Sequence, residues 1–187
     1  MRVIAGSLKG RRLQRPTWDG LRPTSDKLRE TLFNVLASRV AGARVLDGYA
    51  GTGAVGIEAL SRGAAHVTFV ESDPRAQALV AGNLAHCGVQ SGYAIIRATL
   101  ARGAAMLRHD APLVAFDLIL LDPPYDQSPG DTLADALAAV DGLLAPDGLI
   151  ALEHARRQAS PHTAGRFGRS RLLTSGDSAL SFYTWQP

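Results

Sequence analysis

The 187-residue chain has one cysteine, Cys87, and two methionines. A single thiol rules out an internal disulfide and a Cys-rich metal site. The five histidines (His66, His86, His109, His154 and His162) follow no ligand spacing, so no metal is expected. No apolar run reaches the length that spans a bilayer, and the opening stretch from Met1 to Lys9 lacks the long apolar core of a secretory signal. A cytoplasmic protein with no membrane partner is therefore expected. What is present, 46% hydrophobic residues, suffices for one sizeable α/β domain and a small appendage.

Charge is scarce but unevenly placed. Net charge is only +3. Residues 1–22 nevertheless carry Arg2, Lys9, Arg11, Arg12, Arg15 and Arg22 against Asp19 alone. Residues 23–153 hold nine basic groups and fifteen acidic ones. The tail from residue 154 adds Arg156, Arg157, Arg166, Arg169 and Arg171 against Asp177. An acidic body with two basic ends suits a protein whose ends touch a polyanion.

The pattern divides the chain at about residue 42. Before it, Val3, Ile4, Leu8 and Leu13 alternate weakly around Gly6 and Gly10, as in a β-hairpin or extended arm. A helix is expected from Thr24 or Ser25, with Asp26 and Glu30 near its positive end. From residue 43 to 187, strands are expected at 44–47, 66–71, 93–97, 116–121 and 149–154. They alternate with helices at 54–62, 74–86, 100–108 and 132–144. Repeated strand-then-helix units imply a mainly parallel sheet with helices on both faces. Two further strands near 169–174 and 179–185, joined by Ser175-Gly176-Asp177-Ser178, add a C-terminal antiparallel hairpin.

The first strand, Val45-Leu46-Asp47, runs into a glycine loop in which Gly51, Gly53 and Gly56 satisfy G-x-G-x-x-G ahead of a helix. Glu71, ending the second strand, lies where an acid accepts hydrogen bonds from ribose hydroxyls. A nucleoside cofactor follows, and Asp47 selects its type. A carboxylate would repel a pyrophosphate, whereas it attracts the ammonium and tolerates the sulfonium of S-adenosylmethionine. The third strand ends at Thr99, where an acid or amide commonly holds the adenine amine; backbone groups are the alternative holder.

Phe116-Asp117-Leu118-Ile119-Leu120-Leu121 has the texture of a strand buried on both faces and stops at Asp122-Pro123-Pro124-Tyr125. Neither proline donates an N–H, and each holds its predecessor extended. The result is a stiff bracket of acceptors beside an aromatic ring, suited to a planar group bearing –NH2. In a parallel sheet Asp47, Glu71, Thr99 and Asp122 all fall at C-terminal strand ends, so donor and amine would share one cleft. A strand-to-loop exit closed by prolines is the bland alternative.

The run Asp47-Gly48-Tyr49-Ala50-Gly51-Thr52-Gly53, followed by Asp122-Pro123-Pro124-Tyr125, resembles the class I S-adenosylmethionine-dependent amino-methyltransferases. Leu21-Arg22-Pro23-Thr24-Ser25-Asp26-Lys27-Leu28-Arg29-Glu30-Thr31-Leu32-Phe33-Asn34 narrows this. With Gly10-Arg11-Arg12-Leu13 and Glu58-Ala59-Leu60-Ser61-Arg62-Gly63, it resembles the bacterial RsmD-type family, which methylates guanine N2 in 16S ribosomal RNA. The resemblance spans nearly the whole chain. It implies a Rossmann-like class I fold with a basic N-terminal extension and a cofactor converted to S-adenosylhomocysteine. Small-subunit ribosomal RNA or its ribonucleoprotein is the implied partner. Asp122, Pro123, Pro124 and Tyr125 would be catalytic, and Asp47, Tyr49, Gly51, Gly53, Glu71 and Thr99 would bind cofactor. Lys9, Arg11, Arg12, Arg22 and Arg29 would meet RNA, although capping and an ion pair explain Arg22 and Arg29 almost as well. The alternatives are amino-methylation of DNA or protein glutamine, an NAD-dependent oxidoreductase, and a non-catalytic RNA-binding protein.

Overall fold

A computed structural model of the chain describes residues 1–18, 25–109, 115–124 and 132–186. Eight strands form one sheet: β1 (Arg44–Asp47), β2 (His66–Glu71), β3 (Tyr93–Arg97), β4 (Phe116–Leu121), β5 (Leu144–Ala155), β6 (Thr163–Ala164), β7 (Phe167–Ser175) and β8 (Ser178–Trp185). Their spatial order is β3-β2-β1-β4-β5-β8-β7-β6. β1 to β5 pair in parallel, and β8, β7 and β6 add on antiparallel. The chain leaves β1 toward β2 and β3, then crosses back to lay β4 on the other side. That reversal opens a crevice at the C-terminal ends of β1 and β4.

The continuous apolar run of β4 has a direct cause. Leu118 and Leu120 belong to a core shared with α1 (Asp26–Val40), α2 (Ala54–Ser61) and α3 (Pro74–His86). Ile119 and Leu121 belong to the opposite core, shared with α4 (Leu100–His109) and α5 (Leu133–Ala139). Covered on both faces, the strand has no polar side to alternate with. Val3 and Leu13 of the N-terminal arm join the first core. The arm is a loose hairpin with one bridge, Arg2 to Arg12, and reciprocal bonds from the Val3 N–H to the Arg11 carbonyl and the Gly10 N–H to the Val3 carbonyl, both 2.9 Å.

Local signals set most boundaries. The Ser25 hydroxyl accepts the Leu28 N–H and starts α1; Asp73 and Pro74 start α3; Thr132 and Asp135 form a capping box on α5. The fourth expected helix is shorter than the 132–144 span, because the chain turns at Asp141-Gly142, where Gly142 has φ +80°. β5 accordingly begins at Leu144, five residues early. Its pairing with β4 jumps from Phe116–Leu144 to Leu118–Leu149, so residues 145–148 bulge. The Trp185 indole N–H and the Arg39 guanidinium pin that bulge at the carbonyls of Ala145 and Asp147. β6 was not foreseen.

Candidate active site and nucleic-acid interface

Asp47 is the last residue of β1 and is buried, with 4% of its surface exposed. One carboxylate oxygen accepts the Gly56 N–H at 2.9 Å. The N-cap of α2, Gly53, supplies no side chain, so Asp47 caps this helix from the neighbouring strand. Burial pushes its carboxyl up to about 7; the Gly56 N–H opposes the rise, while the Asp122 and Glu71 carboxylates add to it. The Glu71 and Asp122 carboxylates thus both bear on Asp47 from the ends of the neighbouring strands. Half of the Asp47 carboxylate serves the fold, a duty that its place in the motif did not disclose.

The loop between β1 and α2 is built on its glycines. Gly51 and Gly53 have φ +54° and +76°. A Cβ on Gly53 would lie 3.2 Å from Val80, and one on Gly56 would run into the Phe69 ring, so α2 packs directly on β2. The Gly51 N–H donates to Glu71 Oε2 at 2.8 Å, and Glu71 Oε1 accepts the N–H groups of Ser72 and Asp73 at 2.7 and 2.9 Å. These three bonds use most of the roughly four acceptor positions of a carboxylate. Tyr49 is half-buried against the second core. Thr99 caps α4: its carbonyl accepts the Gly103 N–H at 2.9 Å, and its hydroxyl faces the Arg102 N–H at 3.5 Å.

At the end of β4, Asp122 is half-buried, Pro123 buried and Pro124 exposed. Leu121 pairs with Leu152, which places buried Glu153 of β5 one strand from Asp122. Tyr125 lies outside the described residues, as do Arg22 and the Arg-Pro-Thr segment around it.

Lys9, Arg11 and Arg12 are exposed on the arm. Arg29 requires a correction, since it is fully buried and cannot meet RNA phosphates. Its Nη2 donates to the Arg2 carbonyl and to Asp26, its Nε lies 3.8 Å from Glu58, and Nε and Nη1 have no hydrogen-bond partner. Burial lowers its pKa against the raising pull of Asp26 and Glu58. Asn34 is exposed on α1. In the basic tail, Arg166 is paired with Asp141 and stacked on Trp185, and Arg169 is held by Ser160 and His162. Arg156, Arg157 and Arg171 remain exposed.

Two buried polar residues escaped the sequence argument. Glu58 of α2 accepts the N–H groups of Ile4 and Ala5 at 2.7 and 3.0 Å and pairs with Arg62 at 2.8 Å. Asn83 of α3 accepts the Gln14 N–H at 2.7 Å and donates to the Thr52 carbonyl at 2.9 Å. Among the described residues no cluster of His, Cys, Asp and Glu could hold a metal ion, and no helix is long and apolar enough to cross a membrane.

A sheet in this order, with a glycine loop after β1 and an Asp-Pro-Pro exit after β4, has the Rossmann-like architecture of class I methyltransferases. The solved structure described as "Putative methyltransferase yhhF from Escherichia coli" superposes with a TM-score of 0.81 at 31% identity, covering 100% of this chain and 98% of that one. The family model described as "Conserved hypothetical protein 95" matches residues 1–184, and the chain belongs to this family, the RsmD family. It is 38% identical to YlbH of Bacillus subtilis over 187 residues, 98% of each chain. It is 33% identical over 183 residues to the "Ribosomal RNA small subunit methyltransferase D" of Escherichia coli K12, covering 98% of this chain and 89% of the relative.

Proposed function

We propose that this chain transfers the methyl group of S-adenosylmethionine to the exocyclic N2 amine of a guanine in small-subunit ribosomal RNA. The observation that carries the reading is the placement of Asp47, Glu71 and Asp122 at the C-terminal ends of the neighbouring strands β1, β2 and β4. A pyrophosphate is repelled there and a cation is attracted, which disfavours a dinucleotide. The name of the E. coli K12 relative, "Ribosomal RNA small subunit methyltransferase D", supports the substrate class.

The residues present fit the cofactor. Gly51 and Gly53 give the loop a backbone of positive φ, Glu71 retains one acceptor position for a ribose hydroxyl, and the acids oppose a positive ligand. When bound, S-adenosylmethionine supplies an electrophilic methyl carbon on a sulfonium. The chain's part is to bind, orient and relay. Asp122 and the Pro123 carbonyl accept the two amine hydrogens and aim the nitrogen lone pair, with Tyr125 stacking on the base. An aryl amine is a weak nucleophile, so acceptors that favour its pyramidal form and an in-line approach supply much of the acceleration. The methyl group would pass to the amine nitrogen with S-adenosylhomocysteine as the product, and Asp122 or water would take the amine proton. A base in this position must be unstacked from its neighbours.

Residues 1–42 would dock RNA through Lys9, Arg11, Arg12 and Arg22, and residues 43–187 would hold cofactor and catalyse, in the cytoplasm where the small subunit is assembled. Tritiated methyl transfer tests this with naked ribosomal RNA, assembled small subunits, DNA and a glutamine-bearing protein side by side. Label on guanine N2 of either ribosomal substrate is expected. Label confined to DNA or protein, or NAD binding with no transfer, refutes it.

A further inference from the structure

Asn83 lies on α3, fully buried, and its amide is satisfied on every side it presents. Oδ1 takes the Gln14 N–H at 2.7 Å; Nδ2 gives one bond to the Gln14 carbonyl at 3.3 Å and one to the Thr52 carbonyl at 2.9 Å. Gln14 belongs to the basic arm, and Thr52 sits between Gly51 and Gly53 in the cofactor loop. One side chain thus bridges the segment that would meet RNA and the loop that would meet the methyl donor.

Further ties run the same way. The Thr52 hydroxyl lies 3.7 Å from the Met1 sulfur. Beyond Gln14 the arm follows α3 toward its start, where the Trp18 ring lies 5.0 Å from the Arg75 guanidinium. Four residues of chain reach at most about 13 Å, and the eight residues of helix from Arg75 to Asn83 span about 12 Å, so the arm is long enough to make both contacts. Arg75 is gripped by Asp73, whose N–H donates to Glu71. The arm is therefore fastened at both the glycine loop and the acid expected to hold ribose.

We propose that Asn83 is a positioning residue that couples RNA engagement by the arm to the seating of the cofactor loop, so that each ligand raises the affinity for the other. This rests on the function proposed above. Coupling of this kind is reciprocal by thermodynamic necessity. A bond to a loop carbonyl transmits it because Thr52 can move only if the Gln14 backbone moves or the buried bond breaks, leaving a polar group unpaired.

The test is calorimetric titration of S-adenosylhomocysteine with and without small-subunit ribosomal RNA. This ligand has no sulfonium, so direct attraction to the polyanion contributes little. In the unmodified chain RNA is expected to tighten binding by about fivefold or more. Asn83→Ala should bring that ratio to one. Asn83→Asp, nearly isosteric, keeps an acceptor for Gln14 but no amide donor for Thr52, and should do the same; it carries the test if the alanine chain unfolds. A purely structural Asn83 would weaken binding equally in both titrations and leave the ratio intact. An unmodified chain that methylates ribosomal RNA yet shows a ratio of one overturns the coupling alone, as does a folded variant that keeps the original ratio. Absence of methyl transfer by the unmodified chain overturns the proposed function, and the coupling with it.

Discussion

Asp47→Asn should stabilise the protein at neutral to alkaline pH while weakening its hold on the methyl donor. The native carboxyl titrates at about 7 against 3.8 in the unfolded chain, chiefly through burial. A raised acid favours the native state below the unfolded pKa, and that contribution disappears as pH rises through the native one. Three units correspond to about 4 kcal/mol in all, of which about 2 kcal/mol is lost between pH 5 and pH 7. Asparagine keeps an oxygen for the Gly56 N–H and has no charge to desolvate. His66 and His154, whose pKa values are lowered by burial, lose stability as pH falls. Both are common to the two chains, so the difference between the chains isolates Asp47. Urea unfolding without cofactor, at half-unit steps from pH 5 to 8.5, should show the variant gaining on the original by up to about 4 kcal/mol, roughly 10 °C in thermal midpoint. S-adenosylmethionine affinity should rise with pH through 7 in the original chain and flatten in the variant. Parallel stability profiles for the two chains would refute the buried, strained acid.

Asp122→Ala should leave cofactor affinity nearly intact while transfer falls about a hundredfold or more, since orientation of the amine is lost; single-turnover transfer beside calorimetry checks it, and persistent transfer would make the bracket structural. Arg29→Met should cost about 3 kcal/mol in urea unfolding, the low end for breaking a buried pair, because Glu58 keeps Arg62 and two backbone donors. It should leave the salt dependence of RNA binding unchanged, whereas a change in that slope would restore Arg29 as an RNA contact. Gly56→Ala drives a methyl group into Phe69 and should lower the thermal midpoint by several degrees, reflecting about 1–3 kcal/mol of overpacking. An unchanged midpoint would mean that α2 can lift from β2 freely.

The parallel strands were legible because burial on both faces writes a continuous apolar run, and the glycine loop because a backbone with positive φ admits few residues. Arg29 was misplaced by its chemistry, yet its position gave it away. Leu32, Phe33 and Leu36 follow at i+3, i+4 and i+7, which puts Arg29 on the apolar stripe of α1. Asn83 likewise falls among Leu79, Val80 and Cys87 at helical spacing, a polar group on a buried face that must find partners. Which partners it finds was not legible, because Gln14 and Thr52 come from distant segments and meet only in the fold. The early end of α5 was visible in Asp141-Gly142, a turn dipeptide inside an alanine-rich run that otherwise reads as one helix.

The two charge systems are separated by their solvent. Asp47 is buried, so its field acts on a ligand in the crevice with little help or hindrance from salt. Lys9, Arg11 and Arg12 are exposed, and their attraction for phosphates is screened within about 8 Å at physiological ionic strength. On the proposed function a polyanion would be drawn to the arm without cancelling the acids, and an unstacked base would enter the crevice. Replacing all three arm residues by alanine should flatten the dependence of log affinity for RNA on log salt by about 0.7–0.9 for each phosphate contact removed. The midpoint of thermal unfolding should stay put, since surface substitutions of this kind fall within about 0.5 kcal/mol. S-adenosylhomocysteine affinity measured without RNA should be the same for both chains at every salt concentration. A triple variant with an unchanged RNA slope would place the phosphate contacts elsewhere, and the exposed Arg156, Arg157 and Arg171 would then be the groups to replace.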